Sequence, residues 1–195
     1  TLDIGNYVQG WTALQESFSV FFRNSTLVAL LVVLGNTLSC SITAYAFARL
    51  EFRGKKIWFA VMLGTLMLPY HVTLIPQYVL FQKLGWIDTF LPLVVPKFLA
   101  ADAFFIFLMV QFFRGIPREL DEAAVLDGCS PWRIYWKIML PLSLPVLATT
   151  AIFSFLWTWN DFLGPLVYLN DASLYTVPLA LRSFVDSTGQ SAWGQ

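Results

Sequence analysis

Charge is what this sequence has least of. Asp, Glu, Lys and Arg make up 12% of its 195 residues, about half the share of a soluble domain, while 57% are hydrophobic. A chain so poor in charge cannot cover a water-facing surface, and with a mean hydropathy of +0.66 it belongs in a bilayer. No stretch is long and polar enough for a separate soluble domain, so a single membrane domain is expected. Chemistry is sparse as well. Two cysteines cannot build a zinc site, and Cys40 lies in an apolar run while Cys129 lies in a polar one, which argues against a disulfide. No GxxxxGKS/T phosphate loop occurs, so the chain has no visible means of binding or hydrolysing ATP, and no cofactor is expected in it. His71 is the sole histidine and has no evident partner, which leaves an intramembrane enzyme without its constellation. Nothing charged lies clearly at mid-depth, so the alternative of an ion-gradient-driven secondary transporter lacks coupling carboxylates. The opening TLDIGNYVQGW has neither the basic region nor the apolar core of a signal peptide, and residues 1–22 are expected outside the lipid.

What is present is a series of apolar stretches. Residues 25–48 are long enough to cross roughly 30 Å of hydrocarbon as a helix. The first half of this stretch is aliphatic, and its second half, GNTLSCSITAYAFA, is rich in small and hydroxyl side chains that favour close helix packing in lipid. A second span, 57–80, holds Gly64, Pro69 and Pro76, and a break is expected near Pro69-Tyr70-His71 because proline removes a backbone hydrogen bond. After a turn-rich connection come a third span at 97–113 and a fourth at 138–163, entered through Pro141 and Pro145. The closing loop, 164–195, is polar, with a short helix expected around 179–185.

The net charge of zero hides an asymmetry. Arg49, Arg53, Lys55 and Lys56 crowd one loop, and Arg114, Arg118, Arg133 and Lys137 another, whereas the alternating loops hold only Arg23, Lys83, Lys97 and Arg182. By the positive-inside rule the two basic loops face the cytoplasm. The loop 114–137 is then cytoplasmic, and the loop 164–195 external.

The one long polar interruption, RELDEAAVLDGCSPWRIYWKIMLP over 118–141, reads as two short helices joined by a tight turn. Pro117 suits a helix start, and Glu119, Asp121 and Glu122 place negative charge at the positive end of the dipole. Leu120, Ala123, Ala124 and Asp127 share a nearly flat face at helical spacing. Gly128 ends the helix, and Ser130-Pro131 caps the next. Taken alone, this stretch also suits an amphipathic interfacial helix that merely links two spans.

Glu122-Ala123-Ala124, Gly128, Ile138 and Leu140-Pro141, at these spacings, resemble the EAA signature in the cytoplasmic coupling loop of importer-type ABC transporter permeases. Further likeness to the carbohydrate branch, permeases similar to the smaller one of the maltose system, lies in Tyr45-Ala46-Phe47-Ala48-Arg49, Phe52-Arg53-Gly54, Pro76-Gln77-Tyr78, Trp159-Asn160-Asp161-Phe162 and Thr176-Val177-Pro178-Leu179. The resemblance implies an all-α integral membrane protein with a type I ABC importer transmembrane domain over 23–195. It implies a multi-pass subunit of a bacterial or archaeal plasma membrane, with an expected further span before and after this stretch. It also implies partners: a second permease as heterodimer, an ATPase dimer that binds the ATP, and an extracytoplasmic sugar-binding protein. No nucleic-acid partner is expected. Carried over to this chain, Glu119, Glu122, Ala123, Ala124, Asp127 and Gly128 form the ATPase-coupling face, and Leu140-Pro141 its joint to the membrane; Cys129 stands where a small residue, often alanine, is usual.

For the substrate path, candidates are few. His71 beside the expected break, and Trp159, Asn160 and Asp161 at the end of the fourth span, combine hydrogen-bonding groups with the aromatic faces that suit sugar rings. The bland readings are a packing histidine and an interfacial aromatic belt. Asp102 is expected on the wet interface.

Overall fold

A computed structural model describes residues 16–187, and among them every regular element is helical. The bilayer explains the choice, because a helix pairs its own backbone groups where no water can. The segment before residue 16 and the loop end beyond 187, including most of the expected external N-terminal stretch, lie outside the described residues.

α1 (Phe18–Arg49) is one unbroken helix of 32 residues. At about 48 Å it exceeds the hydrocarbon thickness, so it starts well before residue 25. No proline interrupts it, and Gly35 is needed where the Phe98 ring approaches, since a Cβ there would lie 2.5 Å from the ring. α2 (Lys55–Thr65) and α3 (Tyr70–Lys83) follow, bent by 99° across residues 66–69. The expected break at Pro69 is therefore present, whereas Pro76 is absorbed inside α3.

α4 (Leu91–Val94), a 3-10 turn at Val95–Leu99 and α5 (Ala103–Gly115) make up the third apolar crossing. Together Leu91–Gly115 is long and apolar enough to span, so helical structure begins before residue 97. Pro92 and Pro96 pack into its tight N-terminal turns. Lys97 Nζ meets Asp102 Oδ2 at 2.8 Å, which gives that carboxylate an ion-pair partner.

Next come α6 (Glu119–Leu126), α7 (Pro131–Ile134), a π-helical stretch at Tyr135–Met139, α8 (Leu140–Leu142) and α9 (Leu144–Trp159). α10 (Leu163–Tyr168), a 3-10 turn at Ala172–Leu174 and α11 (Val177–Ser187) complete the described chain. Among the described residues two helices qualify alone as spans by length and composition, and counting each bent pair as one span gives up to four.

The chain forms two compact units. One comprises Val33–Leu74 and Val95–Ser154. Its core centres on Phe105, Met109, Phe113, Tyr135 and Met139, packed against the small residues Cys40, Ala44 and Ala48 of α1. The other, over its described residues, comprises 16–32, Ile75–Val94 and 155–187. There Asn24 Nδ2 donates to Ser173 O at 2.8 Å and Tyr175 O at 3.1 Å, and Val177 N donates to Ser25 Oγ at 2.8 Å. The residues that open the first span thus also hold the closing loop.

Candidate coupling site

α6 is short, and its ends are well specified. Glu119, Asp121 and Glu122 occupy its first turn, where they oppose the helix dipole. At the other end Cys129 N donates to Ala124 O at 2.9 Å and Gly128 N to Val125 O at 3.0 Å. That pair is a Schellman closure, and it needs the left-handed φ of 76° that Gly128 supplies. Cys129, partly exposed, then packs at the edge of the core cluster that includes Ala124, as a small apolar side chain would.

The second arm begins as expected. Ser130 Oγ accepts from Arg133 N at 3.4 Å, with Pro131 in the first turn. Downstream, two prolines four residues apart shape the joint. Pro141 cannot donate to the carbonyl of Lys137, and the π-helical stretch Tyr135–Met139 lies immediately before it. Pro145 likewise leaves the carbonyl of Pro141 without its usual partner, and the chain bends by 76° at Ser143. Ser143 Oγ turns back to Met139 O at 2.6 Å. The bend therefore sits just beyond the expected Leu140-Pro141 joint, with Leu140 half-buried and Pro141 exposed.

Both arms are tied to one stripe of α1. Ser41, Tyr45 and Arg49 recur every four residues and so share a face. Ser41 and Tyr135 share a hydroxyl–hydroxyl bond of 2.8 Å, Tyr45 donates to Pro131 O at 3.0 Å, and Arg49 pairs with Asp121 at 3.2 Å. Arg49 Nη2 also donates to Phe113 O and Ile116 O at 2.7 and 2.6 Å, so it gathers the end of α1, the end of α5 and the start of α6. Only 4% of its side chain is exposed. Burying that guanidinium is tolerable because a carboxylate and two carbonyls replace water.

The face of α6 left free differs from the one expected. Ala124 turns inward, 6% exposed, because it fills the core beside Tyr135. The expected stripe of Leu120, Ala123, Ala124 and Asp127 is thus not a single free face. Glu119, Glu122 and Ala123 do lie outward, joined at helical spacing by Leu126, which is 89% exposed. Asp127 and Gly128 are exposed at its end. Leu126 and the neighbouring Val125, 58% exposed, are not among the residues expected on the docking face. The four-residue recurrence of Ser41, Tyr45 and Arg49 marks a polar face on α1 but does not say that Arg49 meets Asp121.

The path candidates have local roles. His71 is exposed and lies edge-on to Tyr70, with ring centroids 6.1 Å apart. Trp159 stacks on Phe155 at 5.4 Å and leans on Phe22 at 6.0 Å. Asn160 Nδ2 donates to Leu156 O at 2.7 Å, and Asp161 Oδ1 accepts from Gly164 N at 3.2 Å. These contacts finish α9 and start α10.

Comparison with known proteins matches this architecture. A family model described as the binding-protein-dependent transport system inner membrane component matches residues 35–193. The chain is 35% identical over 189 residues to the probable ABC transporter permease protein YurM of Bacillus subtilis (strain 168), covering 97% of this chain and 62% of that protein. It is 34% identical over 191 residues to the arabinooligosaccharides transport system permease protein AraQ of Halalkalibacterium halodurans, covering 98% of this chain and 67% of that protein. It is 33% identical over 190 residues to the trehalose/maltose transport system permease protein MalG of Thermococcus litoralis, covering 97% and 68%. The chain thus spans about two thirds or less of these relatives. Among solved structures, a bacterial ABC transporter involved in the import of the acidic polysaccharide alginate superposes with a TM-score of 0.77 at 25% identity, covering 91% of this chain and 61% of that one.

Proposed function

Because the chain belongs to the binding-protein-dependent transport system inner membrane components, we propose that it is one permease subunit of an ATP-driven importer for a carbohydrate or sugar phosphate. The observation that carries this reading is the exposed stripe Glu119, Glu122, Ala123 and Leu126 on a helix whose other side is fastened to α1 and α5 through Arg49 and Asp121. A helix free on one side and rigidly held on the other suits a docking element. An ATPase subunit closing on ATP would push that stripe, and the Arg49 junction and the Ser143 bend would pass the displacement into the spans as tilting. Glu122 would make polar contacts in the ATPase cleft, and Ala123 would allow close approach.

The remaining roles follow from this one. ATP is bound and hydrolysed in separate subunits. A second permease supplies the other half of the pathway, and an external binding protein delivers the sugar to the side bearing 164–195. The carbohydrate class is supported by relatives named for arabinooligosaccharides and for trehalose and maltose. The ion-gradient alternative finds no support among the relatives described above.

The test is to purify the assembly in lipid and measure ATP hydrolysis with and without the binding protein and candidate sugars. Hydrolysis stimulated by the sugar-loaded binding protein is the expected result. Uptake that instead follows a proton or sodium gradient, in an assembly with no ATPase subunit, overturns it.

A further inference from the structure

Beside the coupling site a cleft of about 760 Å³ opens among the end of α1, the loop 50–54, the start of α2 and the end of α5, reaching Arg118 at the start of α6. Its lining combines two chemistries. Lys56, Arg114 and Arg118 line it together with the phenyl rings of Phe47, Phe52 and Phe59, of which Phe47 meets Phe52 at 5.7 Å and Phe59 at 5.4 Å between centroids. Glu51 also lines the cleft, but Lys55 engages its carboxylate at 2.9 Å. Among the described residues Lys56, Arg114 and Arg118 enter no ion pair. Arg114, an exposed residue, lies over the Phe59 ring at 5.2 Å. The Glu51 carboxyl is held below its ordinary range, first by the hydrogen bond and charge of Lys55 and further by Arg118 and Lys56.

Three cations outside any ion pair, set among phenyl rings, fit an amphiphile with a negative head. A soluble anion has no use for the phenyl wall, and a neutral lipid leaves the cations unanswered. The cleft also lies at the level of the basic loops, where headgroups of the cytoplasmic leaflet sit; this depth rests on the orientation proposed above. We propose that the cleft binds the phosphate headgroup of an anionic glycerophospholipid, with Lys56, Arg114 and Arg118 on the phosphate and Phe47, Phe52 and Phe59 along the glycerol and upper acyl chain. Arg118 immediately precedes α6, so the bound headgroup steadies the start of the coupling helix.

The test uses the whole transporter in nanodiscs of phosphatidylcholine, titrated with fluorescent phosphatidylglycerol, without ATP. Binding is then read independently of import and stands or falls apart from the proposed function. At about fivefold per lost charge, Lys56→Gln, Arg114→Gln and Arg118→Gln combined should weaken binding roughly a hundredfold, and Arg114→Lys with Arg118→Lys should retain most of it. If the triple variant does not assemble, Lys56→Gln alone, at an exposed position, should show about a fivefold loss. Equal binding by wild type and the glutamine variants overturns the proposal. So does displacement by inorganic phosphate, which would mark a plain anion site, or a structure of the assembly with protein side chains filling the cleft.

Discussion

Arg49 holds a full charge almost out of reach of water, an arrangement that lasts only while its acceptors stay in place. Removing one side of such a pair leaves the other buried and unanswered, at about 3–5 kcal/mol. Arg49→Met should therefore lower the thermal midpoint of the detergent-solubilised assembly strongly. Arg49→Lys, which keeps the charge but cannot serve Asp121 and both carbonyls at once, should fold and yet transport less sugar per ATP hydrolysed. If Arg49→Lys keeps the wild-type ratio of uptake to hydrolysis, the junction is structural only. At Gly128 a methyl group meets nothing within 4 Å, so Gly128→Ala faces only the left-handed φ, about 1–2 kcal/mol. Gly128→Pro is a different substitution. Proline fixes φ near −65° and lacks the N–H that Gly128 donates to Val125 O, so it should destroy the turn and uncouple hydrolysis from uptake while membrane insertion proceeds. Sequence pattern was informative about Gly128, because a glycine after an acidic-started helix has a local cause. The Arg49–Asp121 pair was not legible, since nothing in a linear pattern says which distant carboxylate a buried arginine meets.

At the scale of elements, capping and proline chemistry placed the break at Pro69, the elbow and the start of α7 within a few residues. The misjudged feature was rotation. α6 has apolar or small residues on several sides, so its pattern alone did not say which side is buried, and the core beside Tyr135 took Ala124. The outward stripe makes a specific prediction: Leu126→Glu, 89% exposed here, should leave the chain folded but reduce co-purification of the ATPase subunits. Wild-type retention of the ATPase would place docking elsewhere. A second element-scale device joins the turn after α3 to the loop after α10. Asp88, at a φ of 63°, accepts backbone N–H groups from Asp171 and Asn170, each at 2.9 Å. The first of these, then the second, holds its carboxyl below the ordinary range. A depressed value in the fold means that the stabilisation is present above the unfolded Asp value and is lost as pH falls through the folded one. Hydrogen exchange at Asn170 and Asp171 should therefore lose protection on strong acidification, and Asp88→Asn should remove that pH dependence.

For the molecule as a whole, composition points to the bilayer as solvent and charge placement to the orientation, but a substrate path shared with a second permease, as proposed above, is only half written in one chain. Trp159, Asn160 and Asp161 illustrate this, since the stacking on Phe155 and the bonds to Leu156 and Gly164 serve the junction of α9 and α10 whatever else these residues meet in an assembly. The orientation itself can be tested with the two native thiols. Cys40 is fully buried, whereas Cys129 is partly exposed, one residue past the Gly128 turn. A membrane-impermeant maleimide should label Cys129 in inside-out vesicles and not in right-side-out ones, leaving Cys40 unlabelled in both, with Cys129→Ser as the blank. Adding the ATPase subunits should slow the reaction, because their docking would cover the rim of the elbow. Labelling from the outer side would put α6 where no cytoplasmic ATPase can reach it, and both the import mechanism and the depth assigned to the lipid cleft would fall together.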